Sequence, residues 1–282
     1  MKAKLYIGTA GWNVPGIHAQ NFASEGTHLA RYAQKLNSAE INSCFYREHK
    51  TETYLKWAAS VPEDFSFAVK APRAITHEGE LRVDGEEALK HFLQQTSALG
   101  EKRGPVLLQV PPSLKFHKAR ALEFFLMLRK LYDGPAVLEP RHVSWFGIEP
   151  DLLLRRFSIA RVAADPALTA EAAEPAGWAE LIYFRLHGSP RRYYSCYSKQ
   201  FLADLAEKLL RLSSRAVVWC IFDNTASGAA LGNALELISH IYKEKLNADG
   251  RLLGAKLITS VCPPNPNPRR VLQPSQPRKK LQ

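Results

Sequence analysis

Short apolar segments alternate with longer segments of helical periodicity from Leu5 to about Leu246. In residues 86–100, for example, apolar side chains recur at helical spacing and Gly100 follows as a stop signal. This pattern predicts eight strands, at 4–8, 38–42, 66–70, 105–109, 136–140, 159–164, 181–187 and 216–223. It predicts eight helices, near 26–37, 52–59, 85–99, 118–131, 146–156, 171–178, 198–212 and 227–245.

Eight repeats of strand and helix predict an α/β fold with parallel strands, because each helix returns the chain to the same end of the sheet. An open doubly wound sheet and a closed (β/α)8 TIM barrel both satisfy this order. The count of eight favours the barrel, and no Gly-x-Gly-x-x-Gly turn follows a strand. We therefore predict a TIM-barrel domain over residues 1–246 and a disordered, basic, proline-rich C-terminal tail over 247–282.

The tail accounts for much of the formal net charge of +11. Residues 247–282 carry seven lysines and arginines against one acid, Asp249, so the rest of the chain is only mildly basic. Six prolines exclude regular structure there. The tail could make weak, nonspecific contact with nucleic acid, and the alternative is a solvated segment with no partner.

Neither a signal peptide nor a membrane span is recognisable in the sequence. We expect a cytoplasmic protein with no membrane partner. The four cysteines form no CxxC pair and have no histidine at zinc-finger spacing, which argues against a structural zinc site.

Every predicted strand changes from apolar to polar at its C-terminal end, where TIM-barrel enzymes build their active sites. Alternation along a strand places residues i and i+2 on one face. Three such pairs should point toward the barrel axis: Glu40 with Asn42, Glu139 with Arg141, and Arg185 with His187. Taken singly, each charged residue could instead belong to a buried ion pair that only sets the barrel geometry.

The chemistry of these residues suggests two roles. Carboxylates, histidine and lysine can move protons, and the predicted catalytic residues are Glu40, Lys70, Glu139, Asp165, His187 and Asp223. Arginine, amides and loop aromatics can hold a phosphate, a carboxylate or a sugar. The predicted substrate-binding residues are Asn42, Gln109, Arg141, Arg185, Asn224, Trp12, Tyr46 and His77.

Two of these interpretations have structural alternatives. Residues 223–228 could cradle an anion on free backbone N–H groups, or they could simply cap the last helix. The loop aromatics could line a pocket or pack in the core. A tightly bound metal is not predicted, because the basic residues interleaved with the acids would neutralise them; the cofactor remains unknown.

Seven segments in order carry a resemblance to a known family: 8–12 (GTAGW), 40–46 (EINSCFY), 67–77 (FAVKAPRAITH), 108–112 (LQVPP), 139–145 (EPRHVSW), 185–188 (RLHG) and 222–225 (FDNT). The chain resembles the YecE-like family, a domain of unknown function numbered seventy-two. The resemblance covers about residues 5–242 and implies a TIM barrel, but it implies no reaction or substrate. Cys44 departs from it, since a small hydroxyl residue is usual there.

The leading functional hypothesis is an enzyme, of the hydrolase, lyase or isomerase class, acting by acid–base chemistry on an anionic small molecule such as a phosphorylated or acidic sugar. One alternative is a barrel that binds or processes nucleic acid, suggested by the basic charge and the loop aromatics. The other is a non-catalytic sensor that binds a metabolite.

Overall fold

Ten strands form one sheet in the computed structural model, which describes residues 5–249. They are β1 (Leu5–Ala10), β2 (Ser38–Ile41), β3 (Ser66–Lys70), β4 (Arg103–Gln109), β5 (Ala136–Glu139), β6 (Ile159–Arg161), β7 (Ala163–Asp165), β8 (Ala176–Gly177), β9 (Leu181–Leu186) and β10 (Val217–Phe222). Neighbouring strands are parallel in the order β7-β9-β10-β1-β2-β3-β4-β5-β6, and β8 is added antiparallel to β6.

The sheet curls into a nearly closed barrel, which confirms the predicted fold class. The predicted sixth strand is divided at Val162: β6 pairs with β5, whereas β7 pairs with β9. Because only Val162 separates β6 from β7, the first and last strands of the parallel series meet at this point. We call it the seam.

Seven α-helices lie among the described residues: α1 (His28–Tyr32), α2 (Thr51–Ala59), α3 (Glu86–Thr96), α4 (Lys118–Leu131), α5 (Ile148–Arg156), α6 (Lys199–Ser213) and α7 (Ala229–Asp249). Helix α6 begins where the Ser198 hydroxyl accepts a hydrogen bond from the Phe201 amide. Its buried residues, Leu202, Leu205, Ala206, Leu209 and Leu212, recur at helical spacing and pack against the barrel.

The helix predicted at 171–178 is absent, and that prediction is wrong. A 3-10 turn at Ala170–Ala173 and strand β8 occupy its place. The alanines favour a helix, but Pro175 cannot continue one. Gly177 has a φ of +73°, and a Cβ there would overlap the Ile159 carbonyl. The seam therefore lacks the covering helix that follows most strands.

The boundaries of the other predicted elements differ less from those in the structure. The first helix is shorter than the predicted 26–37 segment, and the last helix continues to Asp249. Apart from its first three residues, the predicted tail (247–282) lies outside the described residues. None of the described helices has the length and apolarity needed to cross a membrane.

The interior of the barrel is filled by a separate apolar cluster. The ring of Trp219 stacks on Tyr6 and Tyr183, at centroid distances of 4.5 and 6.1 Å. A Cβ on Gly104 would overlap the indole ring, so only glycine fits beside it. Ala68, Leu107, Val137, Ala160, Val162, Leu181 and Ile221 complete this cluster. The side chains above it form the floor of the barrel mouth.

Candidate active site

A layer of charged side chains follows the apolar interior on the same strand faces. Each charged residue lies two positions after a member of the interior cluster: Lys70 after Ala68, Glu139 after Val137, Arg185 after Tyr183 and Asp223 after Ile221. Alternation along the strands therefore directs all four toward the barrel axis. We call this set, with Glu40, Arg141 and His187, the ionic layer.

Arg185 lies at the centre of the ionic layer and contacts three carboxylates. Its Nη2 donates to Glu40 Oε1 at 2.7 Å and lies 3.1 Å from Asp223 Oδ2, while Nη1 donates to Glu139 Oε2 at 2.9 Å. The Nε atom also lies 3.1 Å from both Glu40 carboxylate oxygens. Burial alone would lower the pKa of this guanidinium, but Asp223, Glu40 and Glu139 outweigh it and raise the pKa well above the usual value.

His187 lies between two carboxylates. Its Nδ1 is 2.9 Å from Asp223 Oδ2, and its Nε2 is 2.8 Å from Glu139 Oε1. Arg141 Nη2 joins this group, 2.8 Å from the same Glu139 oxygen and 2.9 Å from His187 Nε2. The ring is thus fixed in orientation from both sides, an arrangement that allows a proton to be relayed between the two carboxylates.

Both carboxyl groups beside His187 are held in the ionised form. Burial would raise the pKa of Glu139, but Arg141 and Arg185 hold it well below its usual range. The same opposition applies to Asp223, where burial raises the pKa but Arg185 and the hydrogen-bonded His187 together lower it below its usual value. The cationic groups therefore determine the charge state of these acids.

Tyr183 is a member of the site that the sequence reasoning missed. Its hydroxyl donates to Glu40 Oε2 at 2.7 Å, so it connects the aromatic stack of the interior to the ionic layer. The signal was present in the sequence, because Tyr183 precedes Arg185 by two residues and must share its face.

Lys70 differs from the rest of the ionic layer. Its ammonium lies over the Phe45 ring, 3.9 Å from the centroid, and makes no hydrogen bond or ion pair with any described residue. Burial and then the charge of Arg185 lower the pKa of Lys70 to about 8, against the opposing effect of Glu40, Glu139 and Asp223. Only 8% of the residue is exposed.

Phe45 also connects Lys70 to the rim of the mouth. The ring of His77 packs edge-on against it at 4.9 Å, and Tyr46 does so at 4.8 Å with 76% of its surface exposed. His77 lies in a π-helical turn, Ala74–Glu78, and its Nδ1 is 2.9 Å from Thr76 Oγ1. Burial and the charge of Lys70 lower the pKa of His77.

Two polar atoms of the mouth have no partner. Arg141 Nε and Asn42 Oδ1 are buried without a hydrogen bond among the described residues. Gln109 is aligned with Glu139 in the neighbouring strand, so its side chain shares the interior face. These groups offer both donors and acceptors to a bound molecule.

Seven of the predicted site residues are not part of the ionic layer. Four of them, Asn42, Gln109, Tyr46 and His77, are described above, and the other three contact other parts of the protein. Asp165 accepts a hydrogen bond from Tyr197 at 2.8 Å, because Val162 faces the interior and Asp165, three residues later, faces the helices. Trp12 packs edge-on against Trp57 and Phe67 in the outer layer. Asn224 Nδ2 donates to Ser195 O and to Asn233 Oδ1.

Several backbone amides in and after the segment 223–228 are already paired within the protein. The amides of Ala226 and Gly228 donate to Tyr193 O and Thr225 O, and that of Ala230 donates to Asn224 O. The Asn224 carbonyl therefore contacts the first turn of helix α7.

Histidine, cysteine and carboxylate side chains do not assemble into a metal-binding group of three or more anywhere in residues 5–249. The acids of the ionic layer are bonded to guanidinium groups and to His187 instead. What the layer offers a ligand is the cationic edge formed by Lys70 and Arg141.

Comparisons with known proteins identify relatives of this chain. A model of the family described as protein of unknown function DUF72 matches residues 6–253. The UPF0759 protein YecE of Escherichia coli strain K12 is 32% identical over 122 residues, which are 43% of this chain and only 43% of YecE. The UPF0759 protein YunF of Bacillus subtilis strain 168 is 25% identical over 266 residues, covering 83% of this chain and 93% of YunF.

Solved structures give the same result for the fold. A DUF72 family protein from Thermotoga maritima superposes with a TM-score of 0.69 at 25% identity, covering 86% of this chain and 99% of that one. Another from Enterococcus faecalis superposes with a TM-score of 0.70 at 23% identity, covering 84% and 95%. The names of these proteins state no reaction and no substrate.

Proposed function

The chain belongs to the DUF72 family, and because the description of that family states no activity, we propose a function from the site itself. We propose an enzyme that binds an anionic small molecule, such as a phosphorylated or acidic sugar, at the C-terminal mouth of the barrel and acts on it by acid–base chemistry. The observation that carries this proposal is the cationic edge formed by Lys70 and Arg141, because neither the Lys70 ammonium nor Arg141 Nε has an acceptor in the described part of the chain.

An anion would complete the hydrogen bonds of this edge. Lys70 has no acceptor in the described part of the chain, and Arg141 Nε is buried without one. Leaving a buried charged donor unsatisfied costs more than a neutral one, so a bound phosphate or carboxylate oxygen would be stabilised there. Asn42 and Gln109 would contact the uncharged part of the ligand.

Proton transfer is assigned to the residues beside this edge. Asp223 keeps 8% of its surface exposed and is bonded to the buried His187, which reaches Glu139 on its other side. A proton taken up at Asp223 can therefore be passed to His187, whose other ring nitrogen is held by the ionised Glu139. Lys70, with its pKa near 8, is a second proton carrier matched to neutral solution.

Arg185 and Glu40 are assigned a positioning role. Arg185 was predicted to bind substrate, but its guanidinium already contacts Glu40, Glu139 and Asp223 and only 1% of the residue is exposed. It sets the positions and charge states of these acids. Glu40, which was predicted to be catalytic, is held between Arg185 and Tyr183.

A second candidate function is binding of a nucleotide or a single nucleic-acid strand. The exposed rings of Tyr46 and Tyr193 lie at the mouth, and the Arg191 guanidinium stacks over Tyr194 at 4.1 Å. Bases stack on such rings while cations contact phosphates. Binding of this kind would fall steeply as salt rises.

The test is a thermal-shift screen followed by calorimetry, using sugar phosphates and acidic sugars beside their neutral parent sugars and a short oligonucleotide. An anionic ligand should raise the melting temperature, and Arg141→Ala should weaken its binding by about 10- to 100-fold, the value of a charge-assisted hydrogen bond. Arg211→Ala, on the exposed face of α6, is the matched control and should bind normally.

The pH dependence of binding adds a second readout. Lys70 loses its charge as the pH rises through about 8, so anion binding should weaken over that range. Binding that is indifferent to Arg141→Ala, or equal for neutral and anionic sugars, would contradict the proposal. Preference for the oligonucleotide, lost at high salt, would support the second candidate instead.

A further inference from the structure

We propose that Lys70 acts as a nucleophile and forms an imine with a carbonyl carbon of the bound substrate. This inference rests on the proposed function and deepens it, because it names the substrate class as an anionic aldehyde or ketone. The ionic layer contains carboxylates and cations that are already paired, and Lys70 is its one amine.

The contacts of Lys70 leave its amine available for reaction. Its Nζ touches only the face of the Phe45 ring among the groups that could hold it within residues 5–249. Lys102 provides the contrast, since its Nζ donates to the carbonyl oxygens of Ala58 and Val61 at 2.7 Å each. Two acceptors therefore hold the ammonium of Lys102, whereas that of Lys70 has none among the described residues.

The surroundings of Lys70 also favour the uncharged amine, which is the nucleophilic form. The backbone of β3 fixes Lys70 on the interior face above Ala68, where burial and the guanidinium of Arg185 lower its pKa to about 8. Roughly a tenth of the molecules then carry a neutral amine at pH 7, compared with well under a thousandth for an ordinary lysine.

The reaction balances without any redox partner. The Lys70 ammonium gives one proton to His77, which packs on the same Phe45 ring and whose own pKa is lowered, or to water. The amine then adds to the carbonyl carbon, and the carbonyl oxygen becomes a hydroxyl by taking up a proton. Loss of that hydroxyl as water leaves a carbon–nitrogen double bond, so an amine and a carbonyl yield an imine and water.

An imine at this position would give the paired acids of the ionic layer a reacting carbon with which to exchange a proton. The protonated imine withdraws electrons from the neighbouring carbon, so that a C–H or C–C bond at that carbon becomes weaker. Asp223, backed by His187, could then take or return a proton. This chemistry favours the lyase and isomerase classes over the hydrolase class.

Reductive trapping of the full-length chain tests the inference. Glyceraldehyde 3-phosphate and glyceraldehyde form a matched pair that differs by the anion, and sodium cyanoborohydride converts an imine to a stable amine. Peptide mass spectrometry should find Lys70 labelled at least about 10-fold faster than exposed lysines such as Lys90 at pH 7, given its larger neutral fraction. Labelling by the phosphorylated aldehyde should be faster than by the neutral one.

Variants assign the labelled site. Lys70→Met should lose the fast adduct, whereas Lys90→Met should keep it. The labelling rate of Lys70 should level off above pH 8, while that of Lys90 continues to rise. Circular dichroism of each variant checks that it is folded.

The possible failures are separable. If anionic sugars bind but Lys70 is labelled no faster than Lys90, the imine is overturned and the proposed anion site stands. If Lys70 is labelled quickly and equally by both aldehydes, the amine is a nucleophile but the anionic substrate class is overturned. Absence of both binding and labelling overturns both proposals.

Discussion

Arg185 and Lys70 carry the same sign of charge at the same level of the barrel interior, and both are almost completely buried. The pKa of Arg185 is nevertheless raised, whereas that of Lys70 is lowered to about 8. Arg185 donates directly to Glu40 and Glu139. Lys70 lies over an aromatic ring and interacts with those carboxylates only through longer-range electrostatics.

The difference shows that direct contact, not burial, decides the state of a charge in this layer. A carboxylate within hydrogen-bond distance compensates for the lost hydration of a cation, and a phenyl ring compensates for much less. Arg185 is therefore part of the framework of the site. The positive charge of Lys70 is buried without a carboxylate in contact with it, which is typical of a functional group.

The largest effect should come from Arg185→Met. The substitution leaves the carboxylates of Glu40, Glu139 and Asp223 buried without their shared cation, and we expect a loss of about 3–5 kcal/mol of unfolding free energy at pH 7. Urea denaturation measures it. The matched control is Arg161→Met. Arg161 is also buried, but within residues 5–249 it has a single ion pair, with Asp151 at 3.3 Å, so this variant should lose less unfolding free energy.

The same variant should respond to acid in a defined direction. In the wild type the pKa values of Glu139 and Asp223 are lowered by folding, so their stabilising contribution is present above the unfolded value and is lost as the pH falls below about 5. Without Arg185, burial and the repulsion between the two carboxylates raise these pKa values. Protonation at low pH then removes the buried negative charges that destabilise the variant. The difference in unfolding free energy between the wild type and Arg185→Met should therefore decrease from pH 7 to pH 4. A constant difference would contradict the assigned role of Arg185.

A smaller effect of opposite sign is expected from Lys70→Met. The lowered pKa of Lys70 corresponds to about 3 kcal/mol against the charged form, and methionine fills similar space without a charge. We expect the variant to be more stable by about 1–3 kcal/mol at pH 7 in urea denaturation. Because the folded pKa lies below the unfolded one, wild-type stability rises between pH 8 and 10.5 and the advantage of the variant should disappear there.

Lys102→Met is the control for this comparison. It removes two hydrogen bonds to backbone carbonyls and should lower stability. A Lys70→Met protein that is less stable than the wild type would mean that the Lys70 ammonium has a compensating partner after all.

The smallest effect should come from Asp165→Asn. Asp165 ends β7 as the other acids end their strands, but it faces the helices and bonds to Tyr197. The asparagine oxygen can still accept that bond, so a change of about 0.5–1 kcal/mol is expected. Anion affinity and Lys70 labelling should be unchanged, and a loss of either would place Asp165 in the site after all.

The sequence was sufficient to predict which residues meet at the mouth wherever a strand is regular. Glu40, Glu139, Arg185 and His187 follow from alternation alone, because each strand runs without interruption to its end. Asp165 was placed in the site because it follows a strand, but Val162 faces the interior and Asp165, three residues later, lies on the opposite face. The division of this segment into β6 and β7, which pair with different neighbours, is a tertiary effect that the sequence did not indicate. The partners of each charge were also beyond prediction, since Arg185 contacts Glu40 only through the closure of the barrel.

The missing helix beside the seam has a consequence for engineering. Residues 166–175 connect β7 to β8 mainly along the surface, and Leu168, Ala170, Glu171 and Glu174 are among those exposed to solvent. An exposed connection makes few packing contacts with the rest of the protein, so its length can change at little cost in stability. New chain termini, or a whole inserted domain, are best tolerated here, where they would leave the mouth on the interior side of the barrel wall undisturbed.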